Sequence, residues 1–400
     1  MRRPAASPGD LFRRVPRDEP VPDQKGKIET MLTAIQEFAR NAAAFVIVLG
    51  VLVFFHELGH YLAARWRGVR VETFSIGFGQ AITSWTDRHG TVWKIAWIPL
   101  GGYVKMHGQE RPEDVSDQVR AGWIAGETFH EKPVLSRAIV VAAGPAANFL
   151  LAMIVFAALF IAVGKPVTLP VVAEVIPNSA ASRAGLLAND RVVSIGGDSI
   201  GTFEDLQRVI TAHPAQALAV TIKRGDADQT VTVTTESHEV GGRQVGLLGI
   251  RGGEVEYQHV GVPAALWGGV QQTWTVTAET VAGLAQMISG ARGTDELGGP
   301  LRIAQLSGQV AQLGIASLVS FIAVLSVNLG LINLFPIPVL DGGHLLFYLA
   351  EAVRGRPLPP RAQEYGFRAG LAVLACLFVF ATWNDLGHFG LFRWVANRFG

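Results

Sequence analysis

Between residues 138 and 164 the chain carries no charged side chain, a run longer than the ~20 residues a helix needs to cross a bilayer core of about 30 Å. This run predicts a transmembrane helix. Residues 303–340 are likewise uncharged, and their most apolar part, 313–334, predicts a further span that ends where Pro336 and Pro338 break the helix. Residues 41–55 are apolar but too short alone, and they reach spanning length only if the helix continues through His56, Glu57 and His60 to about Ala64. Residues 369–384 predict a fourth span, with Arg368 placed to snorkel. The stretch 264–289 is also rich in apolar positions, but Gln271, Gln272, Thr273, Thr275, Glu279 and Gln286 predict an amphipathic surface helix instead.

Between these runs the period changes. Residues 69–76, 81–85 and 91–98 read as short strands, with Asp87-Arg88-His89-Gly90 as a hairpin turn. His89, His107 and His130 lie among polar residues there and read as surface histidines rather than ligands. Residues 165–251 alternate as a separate β-rich unit with strands at 171–176, 191–195, 218–223 and 230–235 and an amphipathic helix at 203–211.

Charge sets the orientation. Four spans put both ends of the chain on one side; Arg65, Arg67 and Arg70 follow the first span, and Arg354, Arg356, Arg361 and Arg368 fill the loop between the third and fourth. Both loops are cytoplasmic by the positive-inside rule, which places 165–312 on the outer side. The basic segment containing Arg2, Arg3, Arg13, Arg14, Arg17, Lys25 and Lys27 runs against this scheme; residues 1–30 have no apolar periodicity and are expected to be disordered, with Met31 as the natural start.

Composition agrees with a membrane protein. Of 400 residues 17% are charged and 49% hydrophobic, and the mean hydropathy is +0.31, too apolar for an ordinary soluble enzyme. Collagen, a disordered tail and a nucleic-acid binder are excluded, and the net charge of +1 gives no global field to steer a charged partner. The single cysteine, Cys376, has no partner for an internal disulfide.

The chemistry concentrates at His56-Glu57-Leu58-Gly59-His60. Histidines at i and i+4 share one helical face at the separation a tetrahedral zinc requires, and a glutamate beside them can serve as general base toward an attacking water. Ionisable groups at the end of an apolar span are costly unless they bind something. Zinc needs a third protein ligand, and Asp341, which closes Asn333-Leu-Phe-Pro-Ile-Pro-Val-Leu-Asp341-Gly-Gly-His344, is the best candidate because it bears the same cost; His344 is the rival. Asn333, just before the helix break, suits a hydrogen bond to a peptide backbone or the packing of helices.

His56-Glu57-x-x-His60 combined with Asn333-x-x-Pro336-x-Pro338-x-Leu340-Asp341-Gly342 resembles the site-2 protease family of intramembrane zinc metalloproteases, and most of all its bacterial regulator-of-sigma-E protease branch. Gly102-Tyr103-Val104-Lys105-Met106 and Gly144-Pro145-Ala-Ala-Asn148-Phe149 also look like segments of that branch, so the resemblance runs from about Ala34 onward. It implies one zinc per chain held by His56, His60 and Asp341, catalysis by Glu57, and substrate contact near Asn333. It places residues 102–106 in a membrane-associated β-loop, where Gly102, Tyr103 and Val104 would hold an unwound substrate strand by β-addition.

Asn178 to Gly197 resembles the opening of a bacterial PDZ domain, which takes extended peptide into a groove. Close bacterial relatives carry two such domains in tandem; only one fits here. The fold expected is a polytopic α-helical membrane protein with four transmembrane helices, a membrane-associated β-loop and an inserted β-rich PDZ domain. Its expected divisions are a tail (1–30), first span with the zinc motif (31–65), cytoplasmic β-loop region (66–133), second span (134–164), PDZ domain (165–255), amphipathic helix and connector (256–312), third span with the aspartate (313–345), cytoplasmic loop (346–366), fourth span (367–386) and tail (387–400).

The resemblance implies a bacterial inner-membrane endopeptidase with its site toward the cytoplasm. It would perform regulated intramembrane proteolysis of single-span proteins, an anti-sigma factor first and leftover signal peptides second. A non-catalytic membrane scaffold that binds peptides is the rival reading. Ion transport is disfavoured by the single metal constellation and the lack of an inverted repeat.

Overall fold

The computed structural model describes residues 24–110, 115–240, 243–252, 254–291, 293 and 298–388. The expected tail 1–30 lies outside the described residues up to position 23, and the tail expected at 387–400 lies outside them from position 389.

In chain order α1 (Gln24–Trp66) leads into two long bent strands, β1 (Val71–Thr86) and β2 (Val92–Met106), and a short helix α2 (Asp117–Ala121) precedes α3 (Val134–Ala162). A β-rich unit follows: β3 (Lys165–Thr168), β4 (Val172–Val175), α4 (Ala180–Arg183), β5 (Arg191–Ile195), β6 (Asp198–Ser199), α5 (Phe203–Ala212), β7 (Ala217–Arg224), β8 (Ala227–Thr234), β9 (Glu236–Val240), β10 (Arg243–Leu247), β11 (Ile250–Gly252) and β12 (Val255–Gln258). Then come α6 (Val262–Ile288), α7 (Pro300–Gln312), α8 (Ile315–Asn333), α9 (Asp341–Arg354) and α10 (Pro360–His388). Among the described residues α1, α3, α8 and α10 are long and apolar enough to cross a membrane. Helix α1 starts at Gln24, so residues 24–30, expected to be disordered, are helical.

Helix α3 is the centre of the helical part and packs against α1, α6, α8 and α9. Its buried Ser136, Val140, Gly144, Asn148, Ala152, Phe156 and Phe160 recur every four residues, which makes one continuous stripe. Small residues bring the neighbours close: a Cβ on Gly59 of α1 would lie 2.2 Å from the Ala143 carbonyl oxygen. Replacement of this glycine would push α1 and α3 apart.

Glycines also shape the sheet beside α1. Gly77 and Gly79, both at φ +89°, and Gly101 at φ +119° bend β1 and β2 back on themselves. Each long strand therefore contributes two segments. Residues 71–76 pair on one side with 102–106 and on the other with 92–95, and residues 92–98 pair in turn with 78–86. Among the described residues nothing pairs with the outer edge of 102–106.

The unit between α3 and α6 has its own core of Val192, Ile195, Leu206, Ile210, Val220, Ile222 and Val233. Its main sheet runs β6-β5-β7-β8, and α5 opens with a capping box between Thr202 and Asp205. The chain enters by β3 and leaves by β12, and these two strands pair antiparallel.

Two local expectations change. Helix α6 keeps the expected polar side, with Gln271, Thr275, Glu279 and Gln286 exposed, but its opposite side is packed into the helical core. Its Ala265 and Val276 pack with Ala152, Phe156, Ala323 and Val327 between α3 and α8, while Trp267, Trp274 and Ile288 are exposed on the other side. Thr280, on the packed side with buried Thr273, donates its hydroxyl to Asn328 Oδ1 of α8 at 2.9 Å. His107 is buried rather than on the surface. Its Nδ1 donates to Glu72 at 2.8 Å and its Nε2 accepts from the Ile124 amide at 2.9 Å, so both ring nitrogens are used in holding the loop.

Candidate metal centre

The i,i+4 spacing in α1 puts His56 and His60 side by side, with their Nε2 atoms 3.3 Å apart. The third group arrives from far along the chain. After α8 ends at Asn333, the segment to Leu340 turns back on itself, with Val339 at φ +102°, a region that costs a non-glycine residue about 1–3 kcal/mol. Asp341 then opens α9. Gly342 and Gly343 follow because a Cβ on either would fall within 2.4 Å of the carbonyl oxygens of residues 334, 335 and 337. The turn thus holds Asp341 Oδ2 3.2 Å from His56 Nε2 and 3.5 Å from His60 Nε2.

Three donor atoms separated by 3.2, 3.3 and 3.5 Å form a nearly equilateral triangle. A tetrahedral ion with bonds of ~2.0–2.1 Å spaces its ligands about 3.3 Å apart. Asp341 Oδ2 is buried and makes no hydrogen bond, an expensive state for a carboxylate oxygen unless a cation completes it. The donor set, two imidazoles and a carboxylate with one side open, therefore fits a single zinc ion. His344, the rival ligand, sits outside this cluster, with its ring against Phe367 at a centroid distance of 5.3 Å.

Groups around the ligands fix their orientation. His60 Nδ1 donates to the Val140 carbonyl at 2.9 Å, which leaves Nε2 bare toward the centre. Pro145 has no N–H for the Val141 carbonyl, so the ladder of α3 is interrupted beside this contact. His56 Nδ1 lies 3.1 Å from the Asn148 amide, and Asn148's own carbonyl accepts from Ser326 of α8 at 2.8 Å. The sequence shows Asn148 as a polar residue in an uncharged run, a signal of function, but not which ring it meets.

Glu57 is buried beside the histidines, and the Val104 backbone N–H is directed at its carboxylate. Within a β-strand the N–H groups alternate in direction; with Val104 facing Glu57, Gly102 faces the same way, along the unpaired edge. A Cβ on Gly102 would lie 2.7 Å from Val53 Cγ1 and 3.1 Å from Glu57 Cγ, so the strand rests directly on α1. Tyr103 turns its side chain away to stack on Phe78, and its hydroxyl accepts from Lys94 at 3.1 Å. An open cavity of about 1310 Å³ is lined by Glu57, Gly102, Tyr103, Val104, Asn333 and Asp341, so the residues singled out from the sequence meet around one space.

Comparison with known proteins gives the same chemistry. The model of peptidase family M50 matches residues 44–377. A protein of Rhizobium meliloti (strain 1021) named as a zinc metalloprotease is 46% identical over 355 residues, covering 86% of this chain and 95% of that protein. Metalloprotease MmpA of Caulobacter vibrioides is 35% identical over 390 residues, covering 89% and 98%, and zinc metalloprotease RasP of Geobacillus kaustophilus (strain HTA426) is 34% identical over 427 residues, covering 89% and 100%. Among solved structures, the PDZ domain of an SdrC-like protein from Listeria monocytogenes is 18% identical, covers 20% of this chain and 84% of that one, and has a TM-score of 0.19. With a matched span that holds both the histidine pair and the distant aspartate, the chain belongs to peptidase family M50, the site-2 proteases, and is a zinc metallopeptidase.

Proposed function

We propose that this chain is a multipass endopeptidase of the bacterial inner membrane that cuts single-span membrane proteins within or near their helix. The observation that carries this reading is the meeting of His56, His60 and Asp341, at 3.2 to 3.5 Å, with Glu57 and an unpaired strand edge in one cavity. Helices α1, α3, α8 and α10 span the bilayer, with the arginine-rich loops on the cytoplasmic side.

A helical peptide bond is shielded by its own hydrogen bonds, so a substrate must be unwound before it is cut. The outer edge at Gly102 and Val104 offers backbone groups to an extended segment, and Asn333 lines the same cavity at the end of α8. Gly102 and Val104 hold the substrate backbone through that edge, Tyr103 between them anchors the strand through Phe78 and Lys94, and Asn333 contacts the substrate from the end of α8. His56, His60 and Asp341 hold zinc, which supplies Lewis-acid polarisation of the scissile carbonyl and of water. Glu57 takes the proton of the attacking water and delivers it to the leaving nitrogen.

The unit at 165–255 is read as a single PDZ domain on the outer side, supported by its separate core and by its attachment through paired β3 and β12. It takes extended peptide or excludes bulky partners before a prior cut has trimmed them. The substrate class is a membrane-bound anti-sigma factor in a stress response, with leftover signal peptides second. The test is cleavage of tagged single-span proteins in detergent micelles by wild type and Glu57→Gln, with zinc measured in both. Loss of cleavage with zinc retained supports the reading; a zinc-loaded wild type that cuts none of the panel overturns it.

A further inference from the structure

The Nε2 atoms of both histidines face Asp341 Oδ2, so each imidazole needs its proton on Nδ1 if Nε2 is to ligate a metal. For His60 the requirement is met by the Val140 carbonyl, which can only accept. For His56 the neighbour is an amide, which can either donate or accept, and whose oxygen and nitrogen are nearly identical in shape. As placed, Asn148 Nδ2 lies 3.1 Å from His56 Nδ1 and Asn148 Oδ1 is buried with no hydrogen bond at all. That orientation puts the proton of His56 on Nε2, where it faces the other two ligand atoms and blocks coordination.

We propose that Asn148 is the positioning residue of His56 and that its Oδ1 accepts the His56 Nδ1–H in the metal-loaded protein. A half-turn of the amide exchanges Oδ1 and Nδ2 with no other movement: Oδ1 gains the His56 proton, Nδ2 takes over the unpartnered position, and His56 Nε2 is left bare. Two features keep the amide in place for this role. Its residue is fully buried, and its backbone carbonyl is held by Ser326 from α8. An amide serves both conditions of the site, donating to His56 when the metal is absent and accepting from it when the metal is present. A pure acceptor such as the Val140 carbonyl serves only the second. The inference rests on the metal reading of the site and adds the group that sets the tautomer of one ligand.

The test uses the full chain in detergent micelles and zinc titrated against a competing chelator, with cleavage left aside. Asn148→Leu keeps the volume and removes the acceptor, and a lost outer partner of a ligating histidine lowers metal affinity about 10- to 100-fold. Asn148→Asp keeps an acceptor in the same place and holds zinc within a few-fold of wild type. This rescue separates a tautomer-setting role from simple packing, which Leu would satisfy better than Asp. Should Asn148→Leu fail to fold, ¹⁵N-histidine NMR of the zinc-loaded wild type reads the tautomer directly, with His56 Nδ1 protonated. Zinc affinity unchanged in Asn148→Leu, an equal loss in Asn148→Asp and Asn148→Leu, or an unprotonated His56 Nδ1 each overturn the inference while leaving the zinc site intact. A folded wild type that binds no zinc overturns the metal reading and this inference with it.

Discussion

A methyl group on Gly144 of α3 would sit 2.3 Å from His60 Nε2 of α1. The glycine is what lets an imidazole fit between two closely packed helices and still point at the ligand cluster. Gly144→Ala must therefore move the ring or separate the helices, and zinc affinity falls at least ~10-fold because the donor is displaced. Gly50→Ala is the control in the same helix as His60, where a Cβ meets nothing within 4 Å. Alanine favours the helix there by up to ~1 kcal/mol. Zinc titration of both variants checks the pair, and equal affinities would remove the steric argument.

Glu57 is buried beside the ligands but its carboxylate is not one of the three that converge. Glu57→Gln is expected to keep the zinc content of wild type and lose about 10²–10⁴-fold in cleavage rate, the usual weight of a general base. Metal analysis and initial rates on the same preparation test it. Parallel loss of zinc and activity would instead make Glu57 part of the metal site.

Asp341 Oδ2 has no hydrogen bond that an amide could preserve. Asp341→Asn keeps shape and removes the charge, so zinc binding weakens on the order of 10²-fold or more, and activity falls with it. Adding excess zinc recovers part of the rate. Full activity of Asp341→Asn at trace zinc would exclude the carboxylate as a ligand.

The hairpin at 87–91 carries a pH-dependent contribution. Burial acts against the Asp87 carboxylate, but hydrogen bonds from Trp93 Nε1, the Thr91 and His89 amides and the Tyr61 hydroxyl outweigh it and hold the group at about 2. A carboxylate more acidic in the folded state than in the unfolded one stabilises the fold above ~3.9 and loses that contribution as pH falls toward about 2. The indole of Trp93 donates to Asp87 at 3.0 Å, so its fluorescence reports the change locally. Wild type should show a transition in that window that Asp87→Asn lacks.

Asp385, near the end of α10, accepts from the amides of Gly299, Leu301 and Arg302 at 2.8 to 3.1 Å and so caps the start of α7. It is 1% exposed. Asp385→Ala leaves the buried Gly299 amide and the half-exposed Leu301 and Arg302 amides without this acceptor and is expected to cost about 1.5–3 kcal/mol. Thermal unfolding in micelles reads the loss, and a melting temperature within a degree of wild type would show that water replaces the cap.

Hydrophobic runs alone determined where α3 and α8 lie, because a bilayer-length helix needs only an unbroken apolar stretch, whereas α1 and α10 extend well beyond their runs at 41–55 and 369–384. The observed α3 and α8 begin and end within a few residues of the runs at 138–164 and 313–334. Local spacing determined that His56 and His60 share a face, since four residues make about one turn of helix. It also showed where β1 and the first half of β2 would form, while residues 102–106 of β2 are expected only from the family resemblance. What the sequence could not decide is everything that depends on atoms distant along the chain. The third vertex of the triangle comes from Asp341, set by a glycine-packed turn after α8; the proton of His60 is fixed by a carbonyl of α3; the unpaired edge of 102–106 exists because glycines fold two long strands into four segments. Helix α6 shows the limit from the other side. Gln271, Thr275, Glu279 and Gln286 mark a polar face that is exposed as expected, whereas Thr273 is buried and Thr280 donates to Asn328 of α8, and only the packed neighbours reveal that. Periodicity records which positions prefer an apolar setting, while hydrogen-bond partners and close approaches are properties of pairs, and pairs are fixed only when the helices meet.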